Sequence, residues 1–467
     1  MMMISIPQSK VKNLMCRGAF GLRLQGAASG ETQLFKDSEK ILPLQSIEKP
    51  AVDLEDWKSM KSDSSQKQMM KDLLGKSRQN LMKLNVAWMD KMILEPSLRE
   101  RMTFFWHGHF ACRTLVPYFA QQQNNTLRTF GLASFRELLM AISKDPAMLQ
   151  FLNNQQNRKD HPNENFAREV MELFTLGRGN YSEQDVKEAA RAFTGWGFNF
   201  QGDYQFRPRQ HDIGDKTFRG ATKNYTGEQV IEAILDDPKT ARFITGKLYR
   251  YFVSDASTID PVIDDWAKGF YRSGYNIEKL LQVIFQSEAF NNPSNIGTRI
   301  KSPIELLIGL QLHTGGKFDN PQSLVFLQRA LGQILFYPPN VSGWPMGKAW
   351  IDSTSLAFRI GLPQLLFGGA ETDFEASDDG DANGLGKIPE GKRRLHCNVD
   401  WSAIAAKFTQ PGADSTQAKA EDFLLARPTS SDNRNYIARL AAGSPNEPEF
   451  IKKIFIGYMS LPDYQMC

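Results

Sequence analysis

The residues of this chain best suited to chemistry are its histidines and a run of acids, arginine and asparagine between positions 164 and 172. Imidazole nitrogens and carboxylate oxygens hold divalent ions such as zinc, manganese or iron, which can then drive hydrolysis or oxidation. On that reading Glu169 and Glu172 are first choices for ligand or general base, and Arg168 for orienting a carboxylate or other anionic substrate. His109 and His211 are the leading imidazole ligands, with His107 and Asp212 beside them. Asn165, Lys216, Trp344 and Trp350 are candidates for binding substrate, Lys216 by pairing with an acid or phosphate.

Spacing sharpens some of these candidates and weakens others. His107 and His109 stand two residues apart, which on a helix is about 200° of rotation, so they share an ion only if the segment is extended. If it is helical, His109 falls on the apolar stripe with Leu98, Met102, Phe105 and Trp106, and His107 points the other way. A buried histidine bonded to a backbone carbonyl is the competing reading for either. His211-Asp212 lies in non-helical chain, either displaying site residues or forming an Asx-type turn before Gly214. His161 either binds an anion or stacks on Pro162. The loop PPNVSGWP with Trp350 serves as a sugar or peptide platform, or as a packed connection. No Gly-rich phosphate loop, serine elbow or HExxH occurs, so the reaction classes that carry those motifs lack support.

The elements that must position these groups are helices. After His161-Pro162, Asn163 is a natural N-cap, and Gly177 supplies the left-handed residue that closes the helix. At about 100° per residue, Phe166, Ala167, Val170, Met171, Leu173 and Phe174 form one apolar arc, and Glu164, Arg168, Glu172, Asn165 and Glu169 fill the other. Either the polar arc faces water, with i,i+4 ion pairs of about 0.2–0.5 kcal/mol each, or it faces inward and lines a cavity. Ser182 and Asp185 form a capping box for a second helix, with Val186, Ala189, Ala190 and Phe193 on its buried stripe. Beyond Trp196 the pattern changes to period two: Phe198, Phe200, a Gly202-Asp203 turn, Tyr204 and Phe206 predict a β-hairpin, followed by extended chain.

Helical period governs most of the remainder. One long helix or two joined ones are predicted over 66–94, then helices beginning near Ser97, at 134–152 with a bend at Pro146, and at 226–235, 238–252, 259–273 and 277–287. Ser302-Pro303-Ile304-Glu305 supplies cap, N1 proline and N3 acid for another, and 354–367 adds one more. The fold class is therefore mainly α, a large helical domain with a small β-hairpin insertion. Residues 1–53 read as an extension packing on a core at 54–370, 371–399 as a flexible acidic and Gly-rich linker, and 400–467 as a small helical tail.

At 467 residues, with 41% hydrophobic and 23% charged residues, the chain has ample material for a soluble core. A net charge of +4 without a basic aromatic stripe argues against nucleic acid as a partner. Cys16, Cys112, Cys397 and Cys467 are too dispersed for a metal motif and read as isolated thiols. The N-terminus lacks a signal-peptide pattern, which gives a cytoplasmic default, and no run of about 18 apolar residues exists to span a membrane.

Several motifs resemble the bacterial family DUF1800, of unknown function. They include Arg17-Gly18-Ala19-Phe20-Gly21, the segment FWHGHF at 105–110, KDPAML at 144–149, and the stretches 163–177, 181–196, 211–220 and 338–350. The chain departs from the pattern where the family has a histidine before the first motif, here Asn13 or a neighbour, and an aspartate in Leu152-Asn153-Asn154. The resemblance implies a mostly helical fold and relatives that are often exported. Genes of such relatives often lie beside those of a second family, DUF1501, which resembles sulfatase- and phosphatase-type hydrolases, and a protein of that type is the partner the resemblance implies. Two functions follow as expectations. One is a metal-dependent hydrolase or oxidase, its pocket formed where the 164–172 arc meets His107/His109 and His211-Asp212. The other is a non-catalytic surface or assembly module that holds a DUF1501-type partner or a glycan through Trp344 and Trp350.

Overall fold

Capping residues set most helix boundaries, and the helices fall where the apolar period places them. The computed structural model describes residues 9–24, 31–49, 63–255, 261–369 and 395–467. Ser182 and Asp185 make the reciprocal box ahead of helix Glu183–Ala192, and Thr226/Gln229 and Ser302/Glu305 do the same for Gly227–Leu235 and Pro303–Thr314. Asp145 caps Pro146–Phe151, which is why the 134–152 segment breaks at its proline. The long helix Asp63–Leu94 is continuous. Among the described residues no helix is long and apolar enough to cross a membrane.

Two helices sit deepest. In Leu98–His109 ten of the twelve residues are buried, and in Pro303–Thr314 all twelve are. A helix buried on nearly all sides has no face for water, so its polar groups must find partners on the helices around it. Ser97 caps the first, but its box is half made. The Glu100 carboxylate turns away to accept from Trp88 Nε1 at 2.9 Å and from Arg128 at 2.6 Å. A buried indole N–H and a buried guanidinium both demand an acceptor, and they outbid the Ser97 amide.

The central helix departs from its expected form. It runs as α-helix over Asn165–Glu169 and then widens into a π-helix over Val170–Thr175, with Gly177 at φ +81 as its terminator. Glu164 occupies the cap position. Asn163 still contributes, accepting from the Asn165 amide at 3.0 Å. The hairpin forms with Trp196 paired to Phe206 and Phe198 to Tyr204. A second hairpin, Lys216–Phe218 with Ala221–Lys223, occupies chain read as merely extended. Its turn rests on Arg219 and Gly220, both at positive φ.

The C-terminal helices Trp401–Phe408, Ala413–Leu424, Ser431–Ala441 and Glu447–Met459 join one continuous apolar core with the rest. His313 bonds the Tyr464 hydroxyl at 2.8 Å, and Arg299 and Cys467 exchange backbone bonds at 3.2 and 2.8 Å. The expected linker lies outside the described residues up to 394, and its end forms strand Cys397–Asn398 against Lys317–Phe318. All four cysteines are free thiols.

Candidate functional site

The polar arc of the central helix is at the surface, half-exposed and largely satisfied by its neighbours. Arg168 grips Glu183 with two bonds of 2.7 Å and reaches Glu164 at 3.1 Å. Glu172 accepts from Arg178 at 2.9 Å and from the Tyr181 hydroxyl, and these bonds hold its carboxyl below the ordinary range. Glu169 has no such partner among the described residues. Burial, helped by Glu172, raises its carboxyl against the pull of Arg168. Asn165 is exposed and donates to the Leu152 carbonyl at 3.3 Å.

The histidines serve the backbone. His211 Nδ1 stands 2.9 Å from the Thr194 carbonyl, which can only accept, so that nitrogen carries the proton. Asp212 pairs with Arg191 at 2.7 Å and also accepts from the Gly214 amide at 2.8 Å, the Asx-type turn. Lys216 is fully buried and donates to the carbonyls of Asp212 and Gly214 and to Asn224 Oδ1, at 2.7, 2.9 and 3.0 Å. It ties the loop to itself. His107 Nε2 accepts from the Phe336 amide at 3.1 Å, with Trp88 edge-on at 5.0 Å, and burial lowers it to about 3.

His109 has a different setting. The Leu173 and Phe174 carbonyls lie in the last turn before Gly177, where no helical N–H follows to take them, and side chains from two other helices do. His109 Nε2 donates to Phe174 O at 3.1 Å, and Lys247 Nζ donates to Leu173 O at 3.1 Å. Lys247 Nζ also lies 3.0 Å from His109 Nδ1, whose lone pair is the acceptor because Nε2 holds the proton. Burial, and then the charge of Lys247, keep this imidazole well below its usual pKa, so it is neutral.

The expected convergence of Glu169, His109 and His211 on one ion is therefore not formed. Each imidazole answers a carbonyl that would otherwise be unpaired, and both nitrogens of His109 are engaged. Among the described residues no group of three or more His, Cys, Asp or Glu side chains is placed to hold a metal ion.

What the fold builds instead is a cleft of about 950 Å³ beside the Leu98–His109 helix. It is walled by Phe105 and His109, by Lys247, Arg250 and Tyr251 of helix Pro238–Phe252, by Arg299 and Glu305, and by Trp344 and Trp350. Thus His109, Trp344 and Trp350 come together, while Glu169, Glu172, Arg168, Asn165, His107, His211, Asp212 and Lys216 are not among its walls. Gly343, at φ +81, brings the tryptophan loop in. A Cβ there would lie 2.3 Å from the Gly108 carbonyl, so only glycine permits the approach. Trp344 then stacks obliquely on His107 at 5.2 Å and is half-exposed, with Met346 open to solvent beside it.

The cleft is cationic. Lys247, Arg250, Arg299 and Lys348 line it against two carboxylates, Asp255 and Glu305. Glu305 is already spent: it accepts from Arg299 at 3.0 Å and from the Ser302 amide at 2.7 Å, and it touches Arg101. Burial alone would raise the Glu305 carboxyl, but Arg101 and Arg299 override burial and hold it far below the carboxylate range. Arg101 is sandwiched by the rings of Phe20 and Tyr251 at 4.8 Å each, and its Nε and Nη1 have no acceptor among the described residues. Arg299 Nε likewise has none. With Arg299 and Glu305 paired to each other, Arg250, Lys348 and the Lys247 amine face one carboxylate, Asp255, which is not a ligand set for a divalent metal and favours an anion.

Sequence reasoning missed Lys247, Arg101 and Arg299, yet a signal existed. Lys247 stands three residues after Ile244 and four before Tyr251, and Arg101 three after Leu98 and three before Phe104, so each is a charge on a buried apolar stripe.

A mainly helical body with a cleft lined by basic side chains defines the class of protein that the geometry supports. The chain belongs to the DUF1800 family, described as a protein of unknown function, whose sequence profile matches residues 14–466. Neither a curated protein nor a solved structure matches the chain.

Proposed function

We propose that the cleft is the working site and that its ligand is an anionic molecule with a ring or apolar face. The observation that carries this reading is the lining: the cations Arg250, Arg299 and Lys348, the amine of Lys247 and two tryptophans around a volume of ligand size. Arg250 and Lys348 are exposed at the rim and Arg299 is buried, so an entering carboxylate, phosphate or sulfate meets charge at both depths. Trp344 and Trp350 offer faces against which a sugar ring stacks, so an acidic sugar is the best-fitting member of the class. The metal-dependent hydrolase reading finds no ligand set here. The assembly-module reading, with a hydrolase-like DUF1501-type partner on the tryptophan loop, draws on the exposure of Trp344 and Met346 and ranks second.

Calorimetric titration with a uronic-acid disaccharide, its neutral counterpart and inorganic phosphate tests the proposal. The acidic sugar is expected to bind at least about tenfold more tightly than the neutral one, and Arg250→Ala or Trp344→Ala to weaken it by about tenfold, or 1.4 kcal/mol. Equal binding of both sugars, or indifference to both substitutions, overturns it.

A further inference from the structure

We propose that Lys247 is a reactive amine, and that the cleft condenses it reversibly with the carbonyl carbon of an anionic aldehyde or ketone. The inference rests on the cleft reading and adds to it the class of ligand that the site transforms or captures covalently.

The geometry begins with hydrogen-bond capacity. Lys247 Nζ has two acceptors, His109 Nδ1 at 3.0 Å and the Leu173 carbonyl at 3.1 Å. Neither can donate. His109 is fixed with its proton on Nε2 by the Phe174 carbonyl, and a carbonyl has no hydrogen to give. Two acceptors match the two hydrogens of a neutral amine and leave its lone pair unclaimed. An ammonium would have a third N–H, and among the described residues what faces it is the ring of Phe243, one turn back at 4.8 Å, and the open cleft. No carboxylate pairs with Lys247 among the described residues, and Arg250, one turn on, adds positive charge. Burial, and then Arg250, lower the ammonium to about 7. Lys247 lines the cleft wall in the company of Arg250 and Arg299, which would hold the anionic end of the same molecule.

The step balances without any further reagent. The Nζ lone pair attacks the carbonyl carbon, the C–N bond forms, and the carbonyl oxygen takes up a proton. Loss of that oxygen as water, with the second nitrogen proton, leaves the imine. Hydrolysis returns the amine and carbonyl, so the reaction is a reversible capture or the first half of covalent catalysis. The feature that places the amine is the helix end at Gly177: the Leu173 and Phe174 carbonyls lie in its last turn, where no helical N–H follows, and so accept from Lys247 and His109.

Pyridoxal 5′-phosphate, an aldehyde that carries a phosphate, is the probe, with its alcohol analogue pyridoxine 5′-phosphate as the carbonyl-free control. The full-length protein is incubated with the aldehyde at pH 7, reduced with borohydride and mapped by peptide mass spectrometry. Each pKa unit of lowering makes free amine about tenfold more abundant, so Lys247 is expected to be labelled at least about tenfold faster than exposed lysines. Lys247→Met should abolish the imine absorbance. Labelling spread evenly over surface lysines, or none at Lys247, overturns the proposal. Titration of the alcohol reads the cleft separately: if it binds and Lys247 is unlabelled, only the amine proposal fails, and if it does not bind either, the anion-cleft reading fails too.

Discussion

Lys216 and Lys247 are both withdrawn from bulk water, and the fold treats them in opposite ways. Lys216 has three acceptors, one for each hydrogen of an ammonium, and Asp212 close by to favour the charge. Lys247 has two acceptors, a neutral imidazole and a cation for company, and open space before it. In the first region Arg191 meets both Glu188 and Asp212, and Lys216 has an acceptor for each hydrogen, which makes it a structural knot. The second gathers more positive charge than it neutralises, which a fold sustains only when something outside the chain completes it or when one group gives up its proton. Counting acceptors, rather than counting charges, separates the two.

The largest effect is expected at the floor of the cleft. Glu305→Ala would leave Arg101 and Arg299 buried without their carboxylate, at a cost of about 3–5 kcal/mol in chemical denaturation. A loss below about 1 kcal/mol would mean that the hub is not the anchor between the two deepest helices. Because the folded carboxyl lies well below its unfolded value of 4.5, its stabilisation is present above about pH 4.5 and is lost as pH falls below it.

Buried imidazoles act at higher pH. His107 is lowered to about 3, and His109 and His313 also lie well below 6.5, each by burial first, so the unfolded chain protonates before the folded one. Stability therefore falls as pH drops below 6.5. Asp145, pushed up to about 7 by burial, works in the opposite sense and offsets one proton. The net of two protons predicts a decline of roughly 2 kcal/mol per pH unit between pH 6 and 5, measured by urea unfolding. A flat profile would show that the histidines reach solvent.

The two lysines then divide. Lys216→Met strands three acceptors and should cost about 1–3 kcal/mol. Lys247→Met strands two acceptors but also removes a poorly matched amine, so it should cost less than Lys216→Met, about 1 kcal/mol. If both substitutions cost the same, the contrast between the regions collapses. The smallest effect belongs to Arg168→Ala, below about 1 kcal/mol, since its pairs with Glu164 and Glu183 are half-exposed and screened. A larger loss would restore the inward-facing reading of the central helix.

Much of the fold was legible in order along the chain. Ser182, Thr226 and Ser302 announced their helices through local hydrogen bonds that close within four residues, and Pro146 and Gly177 marked breaks through backbone sterics alone. The candidate site was legible in part. Trp344, Trp350 and His109 were singled out, and of the two readings open for His109 it makes the bond to a backbone carbonyl, whose place on another helix residue periodicity does not encode. Glu169 and Glu172 looked suited to chemistry because of their types, and only their exposure and the positions of Arg178 and Tyr181 decided otherwise for Glu172.

The sequence by itself determined the helices, their caps and the mainly α class, since these depend on φ/ψ preference, apolar period and neighbours a few residues away. Only the tertiary structure decided which charges meet. Arg101 and Glu305 lie on different helices, as do His109 and Lys247, and their contacts arise from packing between segments at least 138 residues apart. The physical reason is range: a cap is satisfied inside one turn, whereas the charge state of a buried amine is set by every group that folding brings within a few ångströms of it.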